Sequence, residues 1–228
     1  MNTNQGQHRR TRKTGDFPIE VVRLPGRTPF REAYALQVAR RDAVAGGEAV
    51  NALYLLEHTP VITMGRGAKP EHLLFAPDAL RARGIEVCAT DRGGDVTYHG
   101  PGQLVAYPIL DLGRWRCSVG RYLRMLEASV IRLLASYDIE GERVEGYTGV
   151  WVAGAKVAAI GIAVHHWVTF HGAAINIDPD MGHFELIVPC GIVDKPVTSM
   201  KRLLGVAPPR GEVEARFEAA FLQTVTGE

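Results

Sequence analysis

Gly149-Val-Trp-Val-Ala-Gly-Ala-Lys-Val-Ala-Ala-Ile-Gly-Ile-Ala-Val-His-His-Trp-Val-Thr-Phe-His-Gly-Ala-Ala-Ile-Asn-Ile177 holds three runs rich in Val and Ile: Gly149–Val152, Lys156–Val164 and Thr169–Ile177. A tight turn at Gly154 joins the first two, and His165-His166-Trp167 joins the second and third. Extended runs with such short connections predict a three-stranded meander. Upstream, strands alternate with helices. Ile19–Leu24, Asn51–His58, Val61–Met64, Ile85–Ala89 and Leu104–Leu110 read as strands, and Pro77–Arg83 as a short helix. Phe30–Ala45 places Ala33, Leu36, Val38, Ala39 and Val44 at helical spacing and stops at Gly46-Gly47. Val119–Tyr137 is the clearest helix, with Leu123, Leu126, Val130, Leu133 and Leu134 on one face and Arg121, Arg124 and Arg132 largely off it. Two tail helices are expected, near Val197–Leu204 and Gly211–Val225. Single strands with helices between them, followed by a meander, predict an α+β fold: a mixed, largely antiparallel sheet with packed helices.

Bulk properties narrow the function. A chain of 228 residues can bury one substantial core. With 46% apolar and 22% charged residues, composition is that of an ordinary globular domain. A net charge of +1 gives no support for nucleic-acid binding. Three cysteines without paired spacing argue against a disulfide framework and for a reducing compartment, hence a cytoplasmic location. No apolar run has the length of a membrane span, and the start lacks a signal-peptide pattern. Residues 1–15 are polar and basic and are expected to be a disordered arm, leaving 16–228 as a single catalytic domain.

The chemistry concentrates in two places. Arg92-Gly-Gly-Asp-Val-Thr-Tyr-His-Gly-Pro-Gly-Gln103 packs four glycines beside Tyr98 and His99 and runs straight into an apolar strand. Glycine lets backbone approach a ligand and turn N–H groups toward an oxygen. Far downstream, Cys190 stands between Pro189 and Gly191, flanks that display a side chain on a turn. Most free cysteines are small buried hydrophobes, the reading preferred for Cys88 in its strand; Cys117, in a basic loop, reads as incidental. For Cys190 the same bland reading stands beside a second one, in which a displayed thiol with a cation nearby is a nucleophile. Lys156, opening an apolar strand, is either a snorkelling side chain or that cation. His99 and His171, each followed by glycine, are alternative partners for Cys190. A metal site is unsupported, since no His-x-x-x-His or Cys-x-x-Cys pair occurs. The phosphate-loop and nucleophile-elbow motifs are likewise missing from the sequence.

Taken in order, several blocks resemble the octanoyl-[carrier protein]:protein octanoyltransferase family, also called lipoyl(octanoyl) transferase or lipoate-protein ligase B. They are Leu56-Glu-His-Thr-Pro-Val-Ile-Thr-Met-Gly65, Arg92 to Gln103, Gly149-Val-Trp-Val with Lys156 and Ile160-Gly161, Phe170-His-Gly, Asn176 and Pro189-Cys-Gly191. The resemblance implies a fold like the catalytic domain of biotin and lipoate ligases. It implies that Cys190 takes the acyl group from octanoyl-acyl carrier protein as a thioester, and that Lys156 tunes the thiol and shuttles protons. Acceptors would be lysines on lipoyl domains of 2-oxoacid dehydrogenase E2 subunits and on the glycine cleavage H protein. It also implies substrate-binding segments: Arg92, Gly93, Gly94, Asp95, Val96, Thr97, Tyr98 and His99; Ala159, Ile160 and Gly161; Gly172, Ala173 and Ala174. His171 and Asn176 would support them. Ala159 stands where many relatives carry serine, and Ala173-Ala174-Ile175 replaces a leucine-containing run. No cofactor, metal, nucleic acid or membrane is implied.

Three rivals remain at this level. An ATP-dependent ligase on the same fold needs an adenylate loop and no nucleophilic cysteine. A non-catalytic carrier-binding protein would tolerate loss of Cys190. A thiol hydrolase would release free acid. Because carrier proteins and lipoyl domains are acidic, a basic docking surface is expected, with Arg114, Arg116, Arg121 and Arg124 as candidates.

Overall fold

The computed structural model describes residues 8–12 (backbone only), 17–188 and 196–226. The described residues form eleven strands and five α-helices: β1 His8–Arg12, β2 Ile19–Thr28, α1 Phe30–Ala45, β3 Asn51–His58, β4 Val61–Met64, α2 Pro77–Ala82, β5 Glu86–Ala89, β6 Val96–His99, β7 Gln103–Ile109, α3 Val119–Ala135, β8 Glu142–Val144, β9 Tyr147–Val152, β10 Ala155–His165, β11 Val168–Asn176, α4 Met200–Leu204 and α5 Arg210–Thr226. Eight strands form one sheet in the order β1-β2-β3-β7-β11-β10-β9-β8, and β5-β4-β6 form a second. Pairing is antiparallel except for β2 with β3 and β4 with β5. The α+β expectation holds.

The large sheet is buried on both faces. On β3, Leu53 and Leu55 join a core with Leu126, Val130 and Leu133 of α3 and Phe217 and Phe221 of α5. The alternate residues Ala52, Tyr54 and Leu56 join the opposite core with Ala33 and Val44 of α1, Tyr107 and Phe170. This is the period-2 alternation of a strand, with both sides covered. Helix α3 buries Leu126, Val130, Leu133 and Leu134 of its expected stripe, with Leu123 only half-buried, and the Ser118 side chain caps it by accepting from the Arg121 N–H at 3.2 Å. The β9–β10 hairpin turns through Ala153 and Gly154, both at positive φ. That geometry matches the strand twist.

Four details differ from the sequence expectation. The basic arm was expected to be disordered, yet His8–Arg12 pairs antiparallel with β2; the unpaired edge of a sheet is a ready template for such a strand. Residues 1–7 and 13–15 of that arm lie outside the described residues. The glycine-rich stretch contains a strand, β6, pairing with β4. Helix α1 buries Phe30, Ala33, Gln37 and Val44 rather than Leu36 and Ala39, which face solvent. Gln37 is drawn inward because its Oε1 accepts the His171 backbone N–H at 2.7 Å. Finally, α4 begins only at Met200; Val197 instead bridges Lys156 in a strand-like contact, and Ser199 caps the helix.

Candidate active site

Two cavities meet along the seam between the sheets. A narrow one is lined by Phe30, Tyr107, Thr97 and His99, by His171 to Ala174, and by Ala159. An open one is lined by Gly67, Leu123, Tyr147, Thr148 and Ile162. Both share Gly93, Gly94, Asp95, Lys156, Ile160 and Gly161. Lys156 therefore stands at their junction. Its side chain is buried, and a β-bulge falls between it and Ala158. Its backbone is held from both sides: its N–H donates to the Pro196 carbonyl at 2.8 Å, and its carbonyl accepts from the Thr198 N–H at 2.9 Å.

Backbone contacts join the sheets. The Gly93 N–H donates to the Ile162 carbonyl at 2.8 Å. That approach requires glycine at 161, where a Cβ would lie 2.8 Å from the Gly93 carbonyl oxygen. Arg92 locks the loop to β4: its guanidinium donates to the Thr63 carbonyl at 2.7 Å and to the Thr63 hydroxyl at 2.9 Å. The Asp95 carboxylate accepts the Val96 N–H at 2.7 Å and pairs with His72.

The narrow cavity is backed by histidines kept neutral. His58 bonds the Thr28 carbonyl and the Tyr107 hydroxyl, each at 2.8 Å, and burial pulls its pKa down to about 4. Burial, then His58 and Arg92 nearby, holds His99 well below its ordinary value. His171 takes an unusual positive φ of 57° inside β11 and sits 2.8 Å from Asp91, whose other oxygen accepts from Tyr34 at 3.1 Å. Burial lowers the His171 pKa despite the carboxylate beside it, while the bond from His171 lowers that of Asp91.

The structure brings together Arg92 to Asp95, Thr97, His99, Lys156, Ala159 to Gly161 and His171 to Ala174. Val96 and Tyr98 alternate to the other side of β6 and pack with Ile62, Leu80 and Phe184. Asn176 lies behind the wall, bonded to Gln103 at 2.9 Å and to the Thr198 carbonyl at 2.9 Å. Cys190 lies outside the described residues. Cys88 and Cys117 are buried thiols, and burial pushes Cys88 up to about 11. Arg121 and Arg124 flank Leu123 of the open cavity, whereas Arg114 lines a separate groove with Phe17. Sequence reasoning missed Phe30, Tyr107, Leu123 and Tyr147; nothing local marks them, because only the tertiary fold converges them. Among the described residues, no cluster of three His, Cys, Asp or Glu is placed to hold a metal, and no helix is long and apolar enough to cross a membrane.

Residues 29–222 match the family described as lipoyl protein ligase A/B catalytic domain. The chain belongs to that family. Within the lipoyl protein ligase A/B family it is similar to proteins named octanoyltransferase. That of Chloroflexus aggregans is 52% identical over 199 residues, covering 86% of this chain and 90% of the relative. That of Solibacter usitatus is 48% identical over 200 residues, covering 88% and 90%. Among solved structures, a lipoate-protein ligase A bound with ATP superposes with a TM-score of 0.71 at 16% identity, covering 89% of this chain and 84% of the other. A bi-partite lipoate protein ligase from Thermoplasma acidophilum gives 0.69 at 16% identity, covering 89% and 82%. At that identity the lipoyl protein ligase A/B likeness speaks for the fold.

Proposed function

We propose that this protein is an octanoyltransferase of protein lipoylation, working through a Cys190 thioester with Lys156 as its charged partner and without ATP. The observation that carries the reading is Lys156 at the junction of an enclosed cavity and an open one. In the first step, the Cys190 sulfur attacks the carbonyl of octanoyl-acyl carrier protein. The tetrahedral oxyanion collapses, the carrier thiol leaves with a proton, and an octanoyl thioester remains on Cys190. In the second, the amine of a lipoyl-domain lysine attacks that carbonyl, loses a proton, and expels the Cys190 thiolate as the amide forms. Exchange of one thioester for another is nearly balanced, and thioester to amide is downhill, so no nucleotide is required. Acceptors on this reading are lipoyl domains of 2-oxoacid dehydrogenase E2 subunits and the glycine cleavage H protein.

Lys156 Nζ is the group suited to hold the thiolate, protonate the departing carrier thiol and take the proton of the incoming amine. His99 and His171 serve the wall of the cavity. Burial disfavours the charged form of both, which suits them less than Lys156 to face a thiolate. Support for a thiol at this place comes from its neighbours in the chain. Val188, two residues before Cys190, donates to the His72 carbonyl at 2.8 Å, and Pro196 accepts from Lys156. Backbone N–H groups of the glycine-rich segment are the candidates for stabilising the oxyanion, each typically worth about 10²–10³ in rate. The narrow cavity offers the acyl tail a largely apolar lining of Phe30, Tyr107, Ala159, Ile160, Ala173 and Ala174.

Intact mass after mixing with octanoyl-acyl carrier protein, without ATP, tests the reading. One hydroxylamine-labile octanoyl adduct is expected, absent in Cys190→Ala and discharged by an apo lipoyl domain. Activity that appears only with ATP and free octanoate, with pyrophosphate release, would replace the transferase with a ligase.

A further inference from the structure

The side chain that faces Lys156 across the hairpin is Trp151. The two residues are cross-strand partners in β9 and β10, and the Lys156 Nζ lies 4.7 Å from the centre of the indole ring. Side chains directly opposite on paired strands meet in this way. Trp151 is 1% exposed and Lys156 7%. Trp151 lines neither cavity, so it reaches a substrate only through another residue. An aromatic neighbour is Tyr147, edge-on at 6.1 Å, which is 39% exposed on the wall of the open cavity. The hairpin itself is anchored. The buried Glu127 carboxylate of α3 pairs with Arg124 at 2.8 Å and Arg143 at 2.9 Å, and accepts the Gly149 N–H at 3.4 Å.

We propose that Trp151 is a positioning residue: its ring face holds the Lys156 ammonium at the junction of the two cavities. The inference rests on the reading of Lys156 as the catalytic cation. A desolvated ammonium over an indole is the strongest common form of the cation–π contact. The contact has a definite geometry, because Trp151 is fixed on an anchored strand while the four-carbon stem of Lys156 is not. Trp151 thereby restricts the lysine to few orientations. Tyr147, edge-on to Trp151, carries the aromatic contact to the surface on which an acyl carrier or lipoyl domain would arrive.

Mono-, di- and trifluorotryptophan introduced at position 151 of the full-length chain separate this role from simple packing. Fluorine weakens the negative ring face while nearly preserving ring shape. The single-turnover rate of amide formation, measured from the octanoylated protein and an apo lipoyl domain, is expected to fall stepwise, by about tenfold over the series. The thermal midpoint is expected to stay level. A flat rate series, with Lys156→Ala inactive, would overturn the Trp151 role and leave the Lys156 reading standing. A rate that falls only as the thermal midpoint falls would reduce Trp151 to core packing. Full activity of Lys156→Ala would remove the Lys156 reading itself, and the inference with it.

Discussion

The narrow and open cavities share Lys156 but are built from different parts of the fold. The first is walled by residues of the doubly covered sheet, Ala159, Ala173, Ala174 and Tyr107, with Phe30 from α1. The second is walled by Leu123 of α3 and by Tyr147 and Thr148 of the β8–β9 hairpin, which the Arg143–Glu127 ion pair and the Gly149 N–H bond to Glu127 tie to α3. Packing shapes one side, and a charged anchor holds the other. On the proposed reading, the difference lets acyl-chain selection and partner selection change separately, with Lys156 the one charged amine among the residues common to both.

Lys156→Ala is the most drastic way to break that separation. Turnover should fall by about 10²–10⁴ for every donor and acceptor, the usual worth of a positioned acid–base group. A loss confined to one acceptor in steady-state assays would show that Lys156 does not serve both sides. The second test is pH. His58 is neutral when folded, with a pKa of about 4, whereas an unfolded histidine titrates near 6.5. The unfolded state therefore binds the extra proton first. The His58 contribution is constant above pH 6.5 and stability is lost as pH falls, by about 2 kcal/mol at pH 5. In urea unfolding the wild type should lose about 2 kcal/mol more than His58→Gln between pH 7 and pH 5, so the two stability curves approach each other as pH falls; parallel curves would contradict the burial argument.

Smaller effects sharpen the contrast. Ala159→Leu fills the narrow side, so kcat/KM for an octanoyl donor should drop about tenfold, with less effect on a butanoyl donor. KM for the lipoyl domain should stay unchanged; an equal loss for both chain lengths would mean the tail lies elsewhere. Arg121→Glu reverses a charge two residues from Leu123, which lines the open side. It should raise KM for the acyl carrier a few-fold at low salt, with the difference fading as salt rises. Salt-independent kinetics would remove Arg121 from docking.

Helix α3 and the meander were legible in the sequence because each carries a strong repeat and a clear stop: leucines at helical spacing behind Ser118, and Val/Ile runs broken at Gly154. Strand β6 was hidden, since Val-Thr-Tyr-His is only four residues long and glycines surround it. Its alternation still explains why Thr97 and His99 reach the cavity while Val96 and Tyr98 do not. Helix α1 misled because a glutamine took an inward position, bonded to a backbone N–H that the unusual φ of His171 leaves out of the ladder. The blocks of the resemblance were local and readable. Phe30, Tyr107, Leu123 and Trp151 were not readable as site residues, because their roles arise from strands and helices distant in sequence.

The junction at Gly161 has a consequence for how this protein tolerates mutation. The contact between the two sheets there is made by main chain, with the Gly93 carbonyl oxygen 2.8 Å from where any Cβ would sit. No side chain chosen elsewhere can compensate, because the obstacle is backbone. In a saturation library selected for growth on protein lipoylation, position 161 should return glycine almost alone, while Ala159, two residues away, accepts several small residues.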